Sequence, residues 1–439
     1  MKILGNYLVF RLVNRIFAND MAQKVIFSEQ LERTLETAIG ECHPDRLFVL
    51  TDDNTRRLCW PVVKDYGCLA AAQLITIPAG DEHKNLTSLS HVWEQLQQGG
   101  ATRHSLMVCL GGGMVTDLGG FAASTFKRGI AFINIPTTLL AMVDASVGGK
   151  TGINFCGLKN EVGVFSEAQA VIICTRFLQT LDMQNVLSGY AEMLKHGLIS
   201  NKEHWAELLR FPIEGLNRQD VEDSSDGQDP SGGLASLLAR SVAVKERIVE
   251  ADPHEQGLRK ALNLGHTIGH AIEEWSFKPT KPTPNPSRGE GSLGTLSGVK
   301  ANQAPLQGEE SLDTLADRDS SSKANQTPLP SGGGGGGYSL LHGYAVAYGL
   351  VGELYLSAVK CHFPTDRLRQ TVLFVREHYG TPAITCNDYP ALLRLMTHDK
   401  KNTAGTINFT LLSDIGELQL NQSATDEEIC EALDFLREM

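Results

Sequence analysis

The sequence predicts an α/β N-terminal domain built on a doubly wound parallel sheet, joined to a mostly α-helical C-terminal domain. Three observations carry that expectation. Between about residues 24 and 174, short β-rich runs alternate with helical patterns, the order that gives a parallel sheet covered on both faces. From Thr175 onward the alternation gives way to successive helices. A glycine-rich turn follows one of the central strands and leads into a helix, a usual place for a phosphate or dinucleotide. The domains are therefore expected at 21–175 and 176–439, with 1–20 as an extension outside the fold.

Taken in order, Leu47–Thr51, Gln73–Ile77, Leu106–Leu110, Ala131–Ile135 and Val171–Cys174 are short apolar runs that read as buried strands. Between them, Asn85–Gln98 and Val115–Phe126 carry apolar residues at helical spacing, the first stopped by Gly99-Gly100. The second half predicts helices over Ser188–Ile199, Ala235–Glu250, Ala261–Trp275, Gly343–Lys360, Arg367–Glu377 and Tyr389–Thr397, and a last one capped by Thr425. A strand pair, Thr406–Leu412 and Glu417–Leu420, turns around Asp414-Ile-Gly416. Two polar segments belong to no core: Asn217–Gly233, and Phe277–Gly337, which ends in six glycines. The longer one repeats Lys300-Ala-Asn-Gln-Ala-Pro-Leu306 as Lys323-Ala-Asn-Gln-Thr-Pro-Leu329. Its composition buries too little apolar area to offset the ordering of the chain, so it is expected to be a disordered, tolerated insertion.

The formal net charge of −12 argues against a nucleic-acid partner, because phosphate backbones demand a basic face. Nine scattered cysteines without a C-x-x-C fit a reducing cytoplasm better than a disulfide framework. No apolar run reaches membrane-spanning length, and Met1–Asp20 is broken by Arg11 and Arg15 with no small-residue cleavage site, so neither a membrane span nor a signal peptide is read.

The chemistry centres on Ala261–Trp275. On a helix, His266 and His270 share one face about a turn apart and can address one metal ion or one substrate. A metal would need further ligands, for which Glu192 and His342 are candidates; spacing leaves open whether His270 is a ligand or a base. The turn Gly111-Gly-Gly-Met-Val-Thr-Asp117 lets a backbone approach a pyrophosphate. Gly148-Gly-Lys-Thr151 imitates the end of a P-loop, but Asp144 stands where that motif needs glycine, which weakens an ATPase reading. Lys150, Lys159, Lys195, Lys245, Arg259, Lys400 and Lys401 stand beside Gly, Asn or His rather than in charge runs, which suggests a pocket for a multiply charged anion.

Together, Gly111–Asp117, Pro136–Asn154, Tyr190–Lys195, Leu262–His270 and His398–Lys401 resemble the 3-dehydroquinate synthases, of the sugar-phosphate cyclase family, in order from about residue 24 to the C-terminus. The resemblance implies a Rossmann-like NAD-binding domain, a helical metal- and substrate-binding domain, and a homodimer in the cytoplasm. It implies conversion of a heptulosonate phosphate to a cyclic product and phosphate, with NAD used catalytically and Zn2+ or Co2+ bound. By the same resemblance Glu192, His266 and His342 hold the metal and His270 transfers protons. Lys150, Lys195, Arg259 and Asn263 would join His270 in catalysis, and Asp144, Asn160, Lys245 and Lys400 would line the substrate. Arg128 would reach the phosphate from the neighbouring subunit. Asp52, Asp81, Lys84, Gly112, Gly113, Asp117, Thr137, Thr138, Lys150, Lys159 and Thr180 would contact NAD.

Three departures from the family pattern bear on the site. Gly80 is followed by Asp81 rather than Glu, His342-Gly343 is followed by Tyr344 rather than Glu, and the long polar insertion separates His270 from His342. Competing readings are another sugar-phosphate cyclase, a metal-dependent polyol dehydrogenase, and an inactive binding module.

Overall fold

A computed structural model describes residues 23–214, 216, 230–277, 340–397 and 407–439. The extension 1–20, the polar loop up to residue 229, the insertion from Lys278, and Lys400 and Lys401 lie outside the described residues.

Six strands form the parallel sheet: β1 (Lys24–Phe27), β2 (Leu47–Asp52), β3 (Gln73–Ile77), β4 (Leu106–Gly111), β5 (Ala131–Pro136) and, last in the chain, β8 (Ala170–Ile173). Their order is β1-β8-β5-β4-β2-β3. The chain leaves β2 toward β3 on one side, then crosses back to lay β4 on the other, so the order reverses between β2 and β4. In open α/β sheets that reversal opens a crevice at the carboxyl ends of the two strands. Here those ends are Asp52 and Gly111. β2 and β4 are buried almost throughout, as strands covered on both faces must be. Helices α1 (Leu31–Cys42), α2 (Asp53–Leu58), α3 (Trp60–Val63), α4 (Leu86–Gln98) and α5 (Gly113–Thr125) lie between strands of this half.

A hairpin that the sequence reading missed, β6 (Lys150–Phe155) and β7 (Leu158–Phe165), pairs with itself rather than with the sheet. Its two-residue turn, Cys156-Gly157, has positive φ at both positions (51° and 81°), the twist-matched form for a tight hairpin.

The second half comprises α6 (Met183–Ser200), α7 (Lys202–Arg210), α8 (Pro230–Ala251), α9 (His266–Ser276), α10 (His342–Cys361), α11 (Thr365–Tyr379), α12 (Tyr389–Thr397) and α13 (Asp426–Glu438). The antiparallel pair β9 (Asn408–Asp414) and β10 (Glu417–Ser423) interrupts them. α6 is buried on all sides from Val186 to Leu198, which marks it as a central helix. α10 packs against both α6 and α9 with backbone nearly touching backbone: a Cβ on Gly343 would lie 1.9 Å from the Ser188 carbonyl, and one on Gly349 would lie 1.8 Å from that of Gly265.

Two expected boundaries are corrected. Ala261–Trp275 is not one helix: a 3-10 turn, Leu258–Asn263, is capped by Leu264, Gly265 follows in a left-handed conformation (φ 79°), and α9 starts at His266. The expected loop to Gly233 is already helix from Pro230 onward. No described helix is long and apolar enough to cross a membrane.

Candidate active site

α6 carries Glu192, α9 begins with His266 and brings His270 one turn later, and α10 begins with His342. The close crossing of these helices brings the four side chains together. One ring nitrogen each of His266, His270 and His342 lies within 4.8 Å of the others. Nε2 of His266 is 3.5 Å and Nε2 of His342 is 3.3 Å from the same oxygen, Glu192 Oε1. That oxygen is fully buried and has no hydrogen-bond partner among the described residues.

The outer nitrogens of two of the rings are engaged. His266 Nδ1 lies 3.1 Å from the Leu264 carbonyl, and His342 Nδ1 lies 3.0 Å from Glu273 Oε2. Such bonds fix the ring and leave Nε2 for a metal. Glu273, which the sequence reading did not single out, thus supports His342 from α9, although Tyr344 stands where the family pattern has Glu. Tyr344 instead packs edge-on against Tyr379.

Electrostatics favour a cation here. Burial would raise the pKa of Glu192, yet Lys195, His266 and His342 hold it well below the usual carboxylate range. Burial would lower that of His342, yet Glu273 and Glu192 raise it to about 10. A buried carboxylate oxygen without a hydrogen bond and two Nε2 atoms aimed at it fit a divalent ion of the zinc or cobalt type.

Beside this cluster stand three buried cations, Lys195, Lys245 and Arg259, none more than 6% exposed. Lys195 pairs with Glu192, and Lys245 pairs with Asp144. Burial pushes Lys245 down against the pull of Asp144, whereas Glu192 and Asp144 outweigh burial at Lys195 and raise it. The Asp144 carboxyl stays below its ordinary value because Lys245 and Lys195 outweigh its burial. Arg259 donates to the carbonyls of Pro253 (2.6 Å) and Gly148 (3.0 Å), which fixes its guanidinium. Lys150 pairs at 2.5 Å with Glu255, which also accepts from Asn263 at 3.0 Å. Glu255 is a second residue that the sequence reading missed; its neighbours Asp252 and Gln256 read as an ordinary polar turn. His196, one turn after Glu192, is buried with neither ring nitrogen hydrogen-bonded, and burial lowers it to about 3.

Of the residues expected to contact a cofactor, Asp52, Gly112 and Thr137 lie at the carboxyl ends of β2, β4 and β5, at or beside the sheet's reversal. Gly112 precedes α5, whose first turn has no side-chain cap. Thr138 sits against Gly112, where an added Cβ would come within 3.0 Å of its methyl. Thr137 N–H donates to the Gly111 carbonyl, and Thr180 donates to the Phe177 carbonyl. Asp52 caps α2 through Thr55. Lys84 bridges Asp117 and Asn160, each at 2.5 Å. Lys159 joins Asp81 (3.3 Å) to Glu273 (2.7 Å), so Asp81 is engaged with a lysine and with Asn154. Arg128, with φ 69°, is not part of these groups; it lines a surface cleft with Thr102, Arg103, His104 and Lys127.

Residues 74–188 match the family model "3-dehydroquinate synthase N-terminal", and residues 189–279 match "3-dehydroquinate synthase C-terminal". A curated 3-dehydroquinate synthase of Parabacteroides distasonis is 45% identical over 416 residues, 95% of this chain and 98% of that one. The chain belongs to the 3-dehydroquinate synthase family. A Pyrococcus furiosus 3-dehydroquinate synthase is 32% identical over 90% of this chain and 94% of its own. Among solved structures, the 2-epi-5-epi-valiolone synthase of Streptomyces hygroscopicus, with NAD+ and Zn2+ bound, superposes with a TM-score of 0.69 at 22% identity, covering 96% of this chain and 98% of its own. A 2-deoxy-scyllo-inosose synthase with NAD+ and Co2+ gives 0.67 at 20% identity, covering 94% and 96%. These two share the fold of the 3-dehydroquinate synthase family member described here.

Proposed function

We propose that this chain converts 3-deoxy-D-arabino-heptulosonate 7-phosphate to 3-dehydroquinate and inorganic phosphate, as a phosphate-eliminating carbon–oxygen lyase of the shikimate route to aromatic amino acids. The observation that carries the reading is the adjacency of a Glu192–His266–His342 donor set to the buried cations Lys195, Lys245 and Arg259, on a chain 45% identical to a 3-dehydroquinate synthase. When bound, NAD supplies a hydride acceptor that later returns the hydride, and zinc or cobalt supplies Lewis acidity.

The chain's own residues do the rest. Glu192, His266 and His342 hold the ion, and Glu273 keeps His342 turned toward it. Lys195, Lys245 and Arg259, already desolvated and fixed, bind the carboxylate and phosphate of a multiply charged substrate. Lys150 and Asn263, bridged by Glu255, and Asp144 and Asn160 orient its hydroxyls; Lys400, outside the described residues, joins this set. His270, on the metal-facing side of α9, moves a proton to or from a substrate oxygen. The departing phosphate can itself take the C–H proton, so no further carboxylate base is required. The NAD site runs along the crevice between β2 and β4, from Asp52 through Gly112, Gly113, Thr137, Thr138 and Thr180 to Lys84, Asp117, Lys150 and Lys159, with Asp81 at its edge. The residue 175/176 boundary divides this cofactor half from the metal half.

The chain acts as a homodimer in which Arg128 serves the neighbouring subunit's phosphate. Its place in a surface cleft lined by Thr102, Arg103, His104 and Lys127 supports that role, as does the β6–β7 hairpin, which exposes Phe155, Leu158, Val162, Val164 and Phe165. Nine free cysteines suit a cytoplasmic setting.

The test follows phosphate release and NADH absorbance together, with the heptulosonate phosphate, NAD and zinc or cobalt. Phosphate released without net NADH, and lost in His266→Ala, is the expected result. Net NADH from a polyol would establish a dehydrogenase instead, and folded, metal-loaded protein that releases no phosphate would move the reading to a different sugar phosphate.

A further inference from the structure

His266 occupies the first position of α9, and the residue before it is a glycine in a left-handed conformation. A helix begun in this way exposes its first N–H groups, and α9 has no side-chain cap of its own. The cap comes from another helix. Glu353 of α10 is fully buried, and its carboxylate accepts three backbone hydrogen bonds from the start of α9: Gly265 N–H on Oε2 at 2.7 Å, and Thr267 N–H and Ile268 N–H on Oε1 at 2.9 and 3.2 Å. The two bonds nearest His266 straddle it, one from the residue before and one from the residue after.

The anchor is itself fixed. Ser357 donates to the Glu353 carbonyl at 2.7 Å and accepts from Leu412 N–H of β9 at 3.1 Å. A carboxylate facing several N–H groups at a helix start makes charge-assisted bonds with the positive end of the helix dipole. Here those bonds determine how far the first turn of α9 is rotated, and hence where His266 Nε2 points.

We infer that Glu353 is a positioning residue for the metal site, holding the backbone on both sides of His266 so that this ligand converges with His342 on Glu192. α10 then sets two ligands at once, His342 directly and His266 through Glu353. The inference rests on the metal reading given above.

The test is the dissociation constant of the apoprotein for zinc, measured by competition with a chromophoric chelator, together with the visible absorption of the cobalt form. Both are compared among wild type, Glu353→Gln and, as an exposed control on α9, Glu274→Gln. Gln keeps the volume but removes the charge and one acceptor. The expected result is a ten- to hundred-fold weaker zinc affinity for Glu353→Gln, the range typical of lost ligand support, with a changed cobalt spectrum and no change in Glu274→Gln. A folded Glu353→Gln with wild-type affinity and spectrum overturns the inference. So does a variant that only melts earlier while its loaded site is unchanged, because that assigns Glu353 to stability alone. If wild type itself binds neither ion, the metal reading fails instead.

Discussion

Glu273 ties two kinds of chemistry together. Its Oε2 holds His342 and its Oε1 holds Lys159, so a single buried carboxylate touches both the proposed metal side and the proposed cofactor side. Glu273→Gln keeps the shape but weakens both contacts; zinc affinity is expected to fall at least ten-fold, read by chelator competition. His204 carries a different consequence. Its Nε2 is 2.9 Å from Ser241 Oγ, and burial together with Arg240 pushes it down to about 4. The unfolded state therefore takes up a proton below about pH 6.5 that the native state refuses until about pH 4, and stability falls as pH falls through that window. Thermal melts of His204→Gln are expected to lose less of their midpoint over that range than wild type. At this scale the i, i+4 histidines were legible because helical spacing alone aims them together. Glu273, Glu255 and Glu353 were not, since a glutamate on a helix or in a polar turn looks the same whether it faces water or a partner within the fold.

The elements that place these residues depend on close helix crossings. At Gly349 any side chain would meet the Gly265 carbonyl and the Gly269 amide. Gly349→Ala must push α10 off α9, and about 3 kcal/mol of lost stability is expected in urea titration, with metal affinity falling too because both helices carry ligands. The six-stranded sheet was largely readable, since buried β-branched runs alternating with helical patterns admit few other arrangements. The start of α9 was misplaced because Ala261–Leu264 is apolar in the right period; Gly265 breaks it by adopting a positive φ, and a single glycine inside an apolar run does not announce that. The β6–β7 hairpin was missed because its outward strand is exposed throughout and lacks the alternation that marks a half-buried strand.

For the whole molecule, the proposed homodimer makes a prediction that no single chain can satisfy. Arg128→Ala and His266→Ala should each lack turnover, yet when mixed and allowed to exchange subunits they should regain part of it, because the mixed pair holds one complete site. Recovery is read as phosphate release; its absence, with subunit exchange demonstrated, places Arg128 in its own subunit's chemistry. The net charge read from the sequence is reconciled with an anionic substrate here, since cations that are scarce overall are collected and buried at one place. Replacing residues 278–339 with a short glycine–serine turn is expected to leave kcat and zinc affinity near wild type, assayed by phosphate release and chelator competition.

The reason lies in one bond. Leu340 N–H donates to Ser276 Oγ at 3.1 Å, closing the chain just before His342 with the last residue of the helix that carries His266 and His270. The proposed metal ligands therefore do not register how much chain runs between them. A protease site engineered into that stretch would divide the polypeptide in two and still leave each fragment carrying part of one intact coordination sphere. Separation along the sequence, which made His342 look remote, is a dimension in which this centre has almost no extent.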